Sequence, residues 1–460
     1  MSSSESSPSP RMRSYLAAAA RFRSGEDTPR AFLERCLEAY GGWEPKIGAF
    51  VHTSFETARA AEDASTVRWR AGKPLSAIDG MPVGVKDIIE TATMPTEMGS
   101  PLFEGWCSGW DAAAVAALRD AGAVIVGKTV TTEFAASEPR GTRNPWDVAR
   151  TPGGSSSGSA AAVGAGVLSA GLGTQVIGSI VRPAGYCGCV GYKPSVGAIN
   201  RGGSHDYLSQ SSTGVLAATL DDAWQVAIEI AARVGGDPGY VGLVGPATPP
   251  TAVKPRRLAV LETAGWSVAT TEAKAALEAT VARLGAAGVE IITRRSHPEV
   301  EAVEVAILES FAVSTRINDW EWRWPLNSFH ERDASKLSRA MVDRLGRAEA
   351  MKVSDYRAAL AERARVRGLY AALASLCDAC VTLTAPSAAP VGLATTGNPI
   401  FVVPGSLLGI PALALPLLQE QGLPLGLQLM GFSEADAALF ATAGWVTQVL
   451  ADQAPGGLDD

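Results

Sequence analysis

The chain is short of histidine, cysteine and charge. Of its 460 residues four are histidines, His52, His205, His297 and His330. They lie far apart, and no pair has the His-x-Glu or His-x-x-x-His spacing of a metal site, so neither a metal nor another cofactor is expected. Six cysteines are too sparse for a disulfide scaffold and fit a reducing compartment. Cys377-Asp-Ala-Cys380 is a lone C-x-x-C with no second pair for zinc, and it reads as buried structural thiols. Charged residues make up 19%, with 40 Lys+Arg against 47 Asp+Glu and a net charge of −7. That balance gives no basic footprint for nucleic acid or anionic lipid. No basic-then-apolar leader opens the chain. The longest uncharged apolar run near the C-terminus is interrupted by Pro404, Pro411 and Pro416, which excludes a membrane helix there. The expectation is a cytoplasmic protein that binds neither nucleic acid nor membrane.

What is present is unevenly placed. Glycine is abundant, 48 residues, roughly a tenth of the chain against a usual ~7%. Fourteen of these glycines fall in residues 151–203. No charge occurs between Arg150 and Arg182, and none between Asp378 and Glu420. Two long uncharged segments in such a chain predict its interior. Residues 1–10, rich in Ser and Pro, read as a disordered tail, and 11–460 as a single domain. Asp111–Asp120 and Thr271–Leu284 read as helices, the latter stopped by Gly285. Ala123–Val126, Leu258–Leu261 and Val289–Thr293 read as strands, and residues 300–376 as largely helical. Strand–helix alternation over this length predicts an α/β fold around a mixed sheet. Gly235–Lys254, rich in Gly and Pro, is the most linker-like stretch and joins two halves of one domain.

Two motif matches fail on physical grounds. Gly122-Ala-Val-Ile-Val-Gly127-Lys128-Thr129 fits the phosphate-loop expression. Its variable positions should be a loop with inward N–H groups, yet Ala-Val-Ile-Val is a buried-strand sequence. Gly154-Ser-Ser-Ser-Gly158 fits the nucleophile elbow, but that elbow follows a hydrophobic strand. Here Pro145 to Pro152 precedes it, with no strand pattern.

The remaining constellation is a set of serines in a charge-free interior and one lysine in apolar company. Ser155, Ser156, Ser157 and Ser159 crowd a Gly-Gly turn, Gly158–Leu168 suits a tightly packed helix, and Gly173–Ser179 makes a second turn. Met81-Pro-Val-Gly-Val-Lys86-Asp87 ends an apolar stretch on Lys86. A desolvated lysine has a lowered pKa and acts as a base near neutrality; Ser–Lys pairs replace histidine in some nucleophilic sites. The residues alone leave a second reading equally open, in which Lys86 pairs with Asp87 or a carbonyl and the serines satisfy buried backbone.

The motifs Gly153–Val163, Gly173–Ser179 and Arg182–Pro194, with Met81–Asp87, Gly127–Thr129, Glu133-Phe134 and Asn144-Pro145, closely resemble the amidase signature family. Gly409–Pro416 and Leu423–Gln428 resemble its closing motif, so the likeness runs from about residue 30 to 450. It implies a large mixed twisted β-sheet covered by helices on both faces, with a signature core over about 75–215 and a variable substrate region over about 300–376. It also implies a Ser-cisSer-Lys triad: Ser179 as nucleophile, Ser155 as the bridging serine and Lys86 as base. Backbone N–H groups of Val176, Ile177 and Gly178, with Ser179, form the implied oxyanion hole. One departure stands out: Ile177 occupies a place usually held by glycine, and a β-branched residue resists positive φ. Gln175 stands where many members have Asp. Arg182 either binds a substrate carboxylate or forms a structural salt bridge. Trp320, Trp322, Trp324 and Phe329 either wall an aromatic pocket or pack helices.

The expected function is hydrolysis of C–N bonds in small-molecule amides, anilides or carbamates (urethanes), by a monomer or homodimer. The alternative is the glutaminase-type subunit of a tRNA-dependent amidotransferase, working inside a complex. A third reading, a non-catalytic relict, conflicts with the intact Lys86, Ser155 and Ser179.

Overall fold

The computed structural model describes residues 10–136, 138–453 and 457–459. Of the Ser/Pro-rich stretch, residues 1–9 lie outside the described residues, and Pro10 is buried. At the chain ends, β1 (Met12–Arg13) pairs in parallel with β13 (Leu458–Asp459).

All other strands form one sheet. Its spatial order is β2 (Phe50–Thr53), β4 (Val124–Thr129), β3 (Pro82–Lys86), β5 (Ala170–Gln175), β7 (Ser212–Ala217), β6 (Val190–Lys193), β11 (Ala412–Glu420), β12 (Leu423–Met430), β10 (Ala379–Leu383), β8 (Arg257–Val260) and β9 (Glu290–Ile292). Pairings β3–β4, β3–β5, β8–β10 and β8–β9 are parallel and the rest antiparallel, which is the mixed sheet expected. Side chains alternate faces along a strand. Leu413 and Leu415 therefore join one apolar cluster while Ala412 and Ala414 join another. Val215 and Ala217 part from Leu216 in the same way. Helices Ala113–Asp120 and Leu220–Val234 cover the first face, and Ser157–Gly164 and Val181–Cys187 the second.

Helix Ser157–Gly164 is buried on every side, as its lack of any polar stripe requires. It lies so close to the sheet that a Cβ on Gly158 would stand 2.2 Å from the Ala49 carbonyl and 2.3 Å from the Val130 nitrogen. The helix expected over 158–168 runs only to Gly164, and β5 extends through Gln175, so the second turn begins only at Val176.

Other boundaries shift by a few residues. Helix Thr271–Ala286 passes Gly285, and Gly288, with φ of 86°, lies beyond its end. The 300–376 region resolves into helices Pro298–Ile307, Ser310–Asp333, Arg339–Ala350 and Val353–Ala372. Between Val234 and Arg257 there is no helix or strand. Val124–Thr129 is strand, so the phosphate-loop match is a sheet segment. Cys377 and Cys380 are buried free thiols. Among the described residues no helix is long and apolar enough to cross a membrane, and no cluster suits a metal ion.

Candidate active site

Lys86 is the last residue of β3 and is fully buried. Its Nζ donates to Ser155 Oγ at 2.7 Å, to Thr174 Oγ1 at 2.7 Å and to the Thr174 carbonyl at 3.3 Å. The neighbouring carboxylate does not take it. Asp87 instead forms an ion pair with the buried Lys128 at 3.0 Å, so the Lys86–Asp87 reading fails. The reason is strand geometry: consecutive side chains point to opposite faces, and Lys128 comes from β4, the next strand. Burial pushes the Lys86 amine down to about 7, opposed by the Asp206 charge.

The serines gather around this amine. The Gly154–Ser155 peptide bond is cis. Ser156 ties the two turns together: its N–H donates to the Ser179 carbonyl at 3.2 Å, and its Oγ donates to the Thr174 carbonyl at 3.3 Å. Ser179 is 6% exposed. Among the described residues its hydroxyl makes no hydrogen bond, so the structure joins Lys86 to Ser155 directly and brings Ser179 alongside through Ser156.

The turn after β5 is held from outside. Gln175 Oε1 accepts from the N–H groups of Ile180 (2.8 Å) and Val181 (3.0 Å). Its Nε2 donates to Ser406 Oγ at 3.0 Å, and Ser406 donates to the Ile177 carbonyl at 2.7 Å. Gln210 Nε2 donates to the Val176 carbonyl at 2.9 Å. Every anchor takes a carbonyl or lies past Ser179. The N–H groups of Ile177, Gly178 and Ser179 find no acceptor among the described residues. Neither Ile177 nor Gly178 has a positive φ, so the β-branched side chain sits in the turn without backbone strain. Glycine at 178 answers to space instead, since a Cβ there would meet Val402 at 2.3 Å.

Arg182, 5% exposed, donates through Nη2 to the Gly154 carbonyl (2.7 Å) and Thr396 Oγ1 (2.8 Å). It forms no ion pair among the described residues, which corrects the salt-bridge reading. The aromatic cluster splits by helical phase. Trp320 and Trp324, four apart, line an open cavity of about 620 Å³ with Tyr207 and Tyr356. Trp320 stacks on Tyr356, and Trp324 is 73% exposed. Trp322 and Phe329 face inward, where Phe329 stacks on Phe134. With Ile88, Met98 and Leu208 they line a small apolar cavity.

Sequence reasoning gave no part to Thr174, Asp206, Gln210 or Ser406. Thr174 had a signal, being inside the charge-free run beside Gln175. Asp206 and Ser406 come from distant segments that only the folded sheet brings in.

The fold and the site define an α/β protein with a buried lysine–serine pair beside a turn whose N–H groups find no acceptor among the described residues. The chain belongs to the Amidase family, whose model matches residues 31–440, and is thus a hydrolase acting on C–N bonds. It is 33% identical to the A subunit of the glutamyl-tRNA(Gln) amidotransferase of Rhodopirellula baltica, over 93% of this chain and 94% of that one. A solved amidase shares 29% identity and a TM-score of 0.80, covering 95% of this chain and all of the other. A chain from a vestigial protein complex tied to the origins of an s-triazine catabolic enzyme has 26% identity and a TM-score of 0.83, over 97% and 100%.

Proposed function

We propose that the chain hydrolyses small-molecule amides, anilides or carbamates through an acyl-enzyme on Ser179. The observation that carries this is the Lys86–Ser155 hydrogen bond in a fully buried setting. A neutral amine has two protons and one lone pair. The two Thr174 oxygens accept the protons, and the lone pair accepts the Ser155 hydroxyl proton. Ser155 in turn takes the proton of Ser179 once that hydroxyl turns toward it; such contacts often tighten only with substrate bound. Ser179 Oγ bonds to the carbonyl carbon, and the oxyanion is held by N–H groups of the 176–179 turn, worth about 3 kcal/mol each. The proton passes to the leaving nitrogen as the C–N bond breaks. Water then adds to the acyl group, returning Ser179 and releasing the acid. Arg182 supports the Gly154–Ser155 turn rather than the substrate, because its Nη2 is already engaged there. Tyr207 and Leu208, which follow Asp206 in the chain, line two apolar cavities, and this supports an apolar or aromatic acyl or amine group.

The second reading is the tRNA-dependent amidotransferase, with this chain as its glutaminase-type component, glutamine as the C–N substrate and other subunits as partners. The names of the curated relatives give it broader support than the small-molecule reading, over more than nine tenths of the chain. The experiment is one panel on the purified chain: an aryl anilide, a primary aryl amide, an aryl carbamate and glutamine, with released amine or ammonia measured. Turnover of an aryl substrate at least tenfold above glutamine supports the first reading. Glutamine turnover that exceeds the others and rises with added partner subunits establishes the second. Both require fluorophosphonate labelling that Ser179→Ala abolishes together with turnover; a folded chain that resists the label overturns both.

A further inference from the structure

A cavity of about 350 Å³ opens between helix Val353–Ala372 and the Gly409–Ile410 turn, sharing no lining residue with Lys86, Ser155 or Ser179. Its walls include Tyr240, Tyr370, Phe432 and Ile410, with Arg367 and Ser433 as polar groups. Tyr240 is seated on Gly197, where a Cβ would strike its ring at 2.1 Å. Arg367 is anchored at one end only. Its Nε donates to the Leu407 carbonyl at 2.9 Å, while its Nη2, out of water, has no partner among the described residues. Nη2 lies against Gly409, where a Cβ would stand 2.8 Å away. Arg363, one helical turn earlier, donates to Ser209 Oγ, and neither arginine forms an ion pair among the described residues. Burial, reinforced by Arg363, pulls the Arg367 guanidinium down to about 10.

With Nε on the Leu407 carbonyl and Nη2 packed against Gly409, Nη1 is the guanidinium donor left for the cavity, and a charge-assisted hydrogen bond to a carboxylate is its strongest partner. The remaining wall is aromatic and aliphatic, which suits a flat apolar body and not a compact, strongly hydrated ion. No carboxylate side chain lines the cavity to compete. We propose that this cavity is a second ligand site, separate from the candidate active site, and that it binds small aromatic carboxylates with the carboxylate on Arg367. The inference stands independently of which C–N substrate the chain cleaves.

The test is calorimetric titration of the full chain with three probes: benzoate, benzyl alcohol as its uncharged analogue, and inorganic phosphate. Benzoate is expected to bind at one site per chain, with the other two probes weaker by about tenfold or more. Arg367→Gln removes the guanidinium and its charge. Ala374→Trp, at an exposed lining position, fills the cavity and leaves the arginine in place. Each variant should weaken benzoate by about tenfold with an unchanged far-UV spectrum. Should Arg367→Gln fail to fold, Ala374→Trp decides alone. The proposal is overturned by the absence of saturable benzoate binding, by binding that survives in folded Ala374→Trp, or by phosphate binding as tightly as benzoate.

Discussion

An amine with no water around it holds its proton only as firmly as its neighbours allow. For Lys86 the hydrogen-bonded neighbours are hydroxyls and a carbonyl, which bring no charge to hold the proton, and burial therefore dominates. The opposing influence is Asp206, itself buried, with Oδ1 taken by the Ser211 hydroxyl at 2.5 Å and Oδ2 unpartnered among the described residues. The proposed base must be neutral, so kcat/KM should rise as pH passes through about 7 and level off above it. Removing the negative charge in Asp206→Asn takes away what favours the ammonium. The rise should then move to lower pH, leaving activity at about pH 6 higher relative to the plateau. A pH–rate profile of both proteins checks this. An unmoved or upward-shifted limb would show that Lys86 is not the titrating group or that Asp206 does not act on it.

At the scale of elements, the site depends on how near a helix comes to a sheet. Helix Ser157–Gly164 delivers the serine turn to the ends of β3 and β5, and it reaches them because Gly158 faces strand backbone. Gly158→Ala puts a methyl group into peptide atoms that have no rotamer to escape through. The expected loss is about 3 kcal/mol or more of stability, at the upper end for overpacking, read as a lower denaturant midpoint. A variant as stable as the parent would mean that the helix rides higher than described. This dependence also explains what was legible beforehand. Gly-rich, charge-free sequence marks close packing wherever it occurs, so the serine turn showed in the sequence, as did Lys86 at the end of its apolar stretch and the strands Val124–Thr129, Arg257–Val260 and Glu290–Ile292. The anchors of the oxyanion turn did not. Ser406 lies in the second uncharged run and Gln210 in a segment with no distinguishing pattern, but the part of each comes from strand order, which neither charge nor periodicity encodes. The Trp cluster was legible as a cluster, but its division into an open and a buried face needed the helix phase that joins Trp320 to Trp324 and Trp322 to Phe329.

Across the eleven-stranded sheet, the strands before the Gly/Pro-rich stretch and those after it meet at one seam. There β6 pairs with β11, Lys193 against Ala412 and Tyr192 against Leu413. The seam is both apolar and polar. Tyr192 and Phe440 pack edge to face, and Asp436 accepts from the Tyr192 hydroxyl and from Ser195. The candidate site straddles it too, since Ser406 from the second half grips Gln175 and Ile177 of the first. The two largest apolar clusters draw side chains from both halves, and on that ground we propose that 11–460 is a single domain. A protease site inserted after the exposed Thr248 tests that reading. After cleavage the two pieces should co-elute at the size of the intact chain and keep most of the hydrolytic activity. They should separate only in denaturant, through one transition shared by fluorescence and far-UV signals. Pieces that part in native buffer, or a cut protein with two transitions, would mean that the seam is a contact between domains. The lysine–serine pair would then be complete within the first half alone, and Ser406 would be dispensable to it.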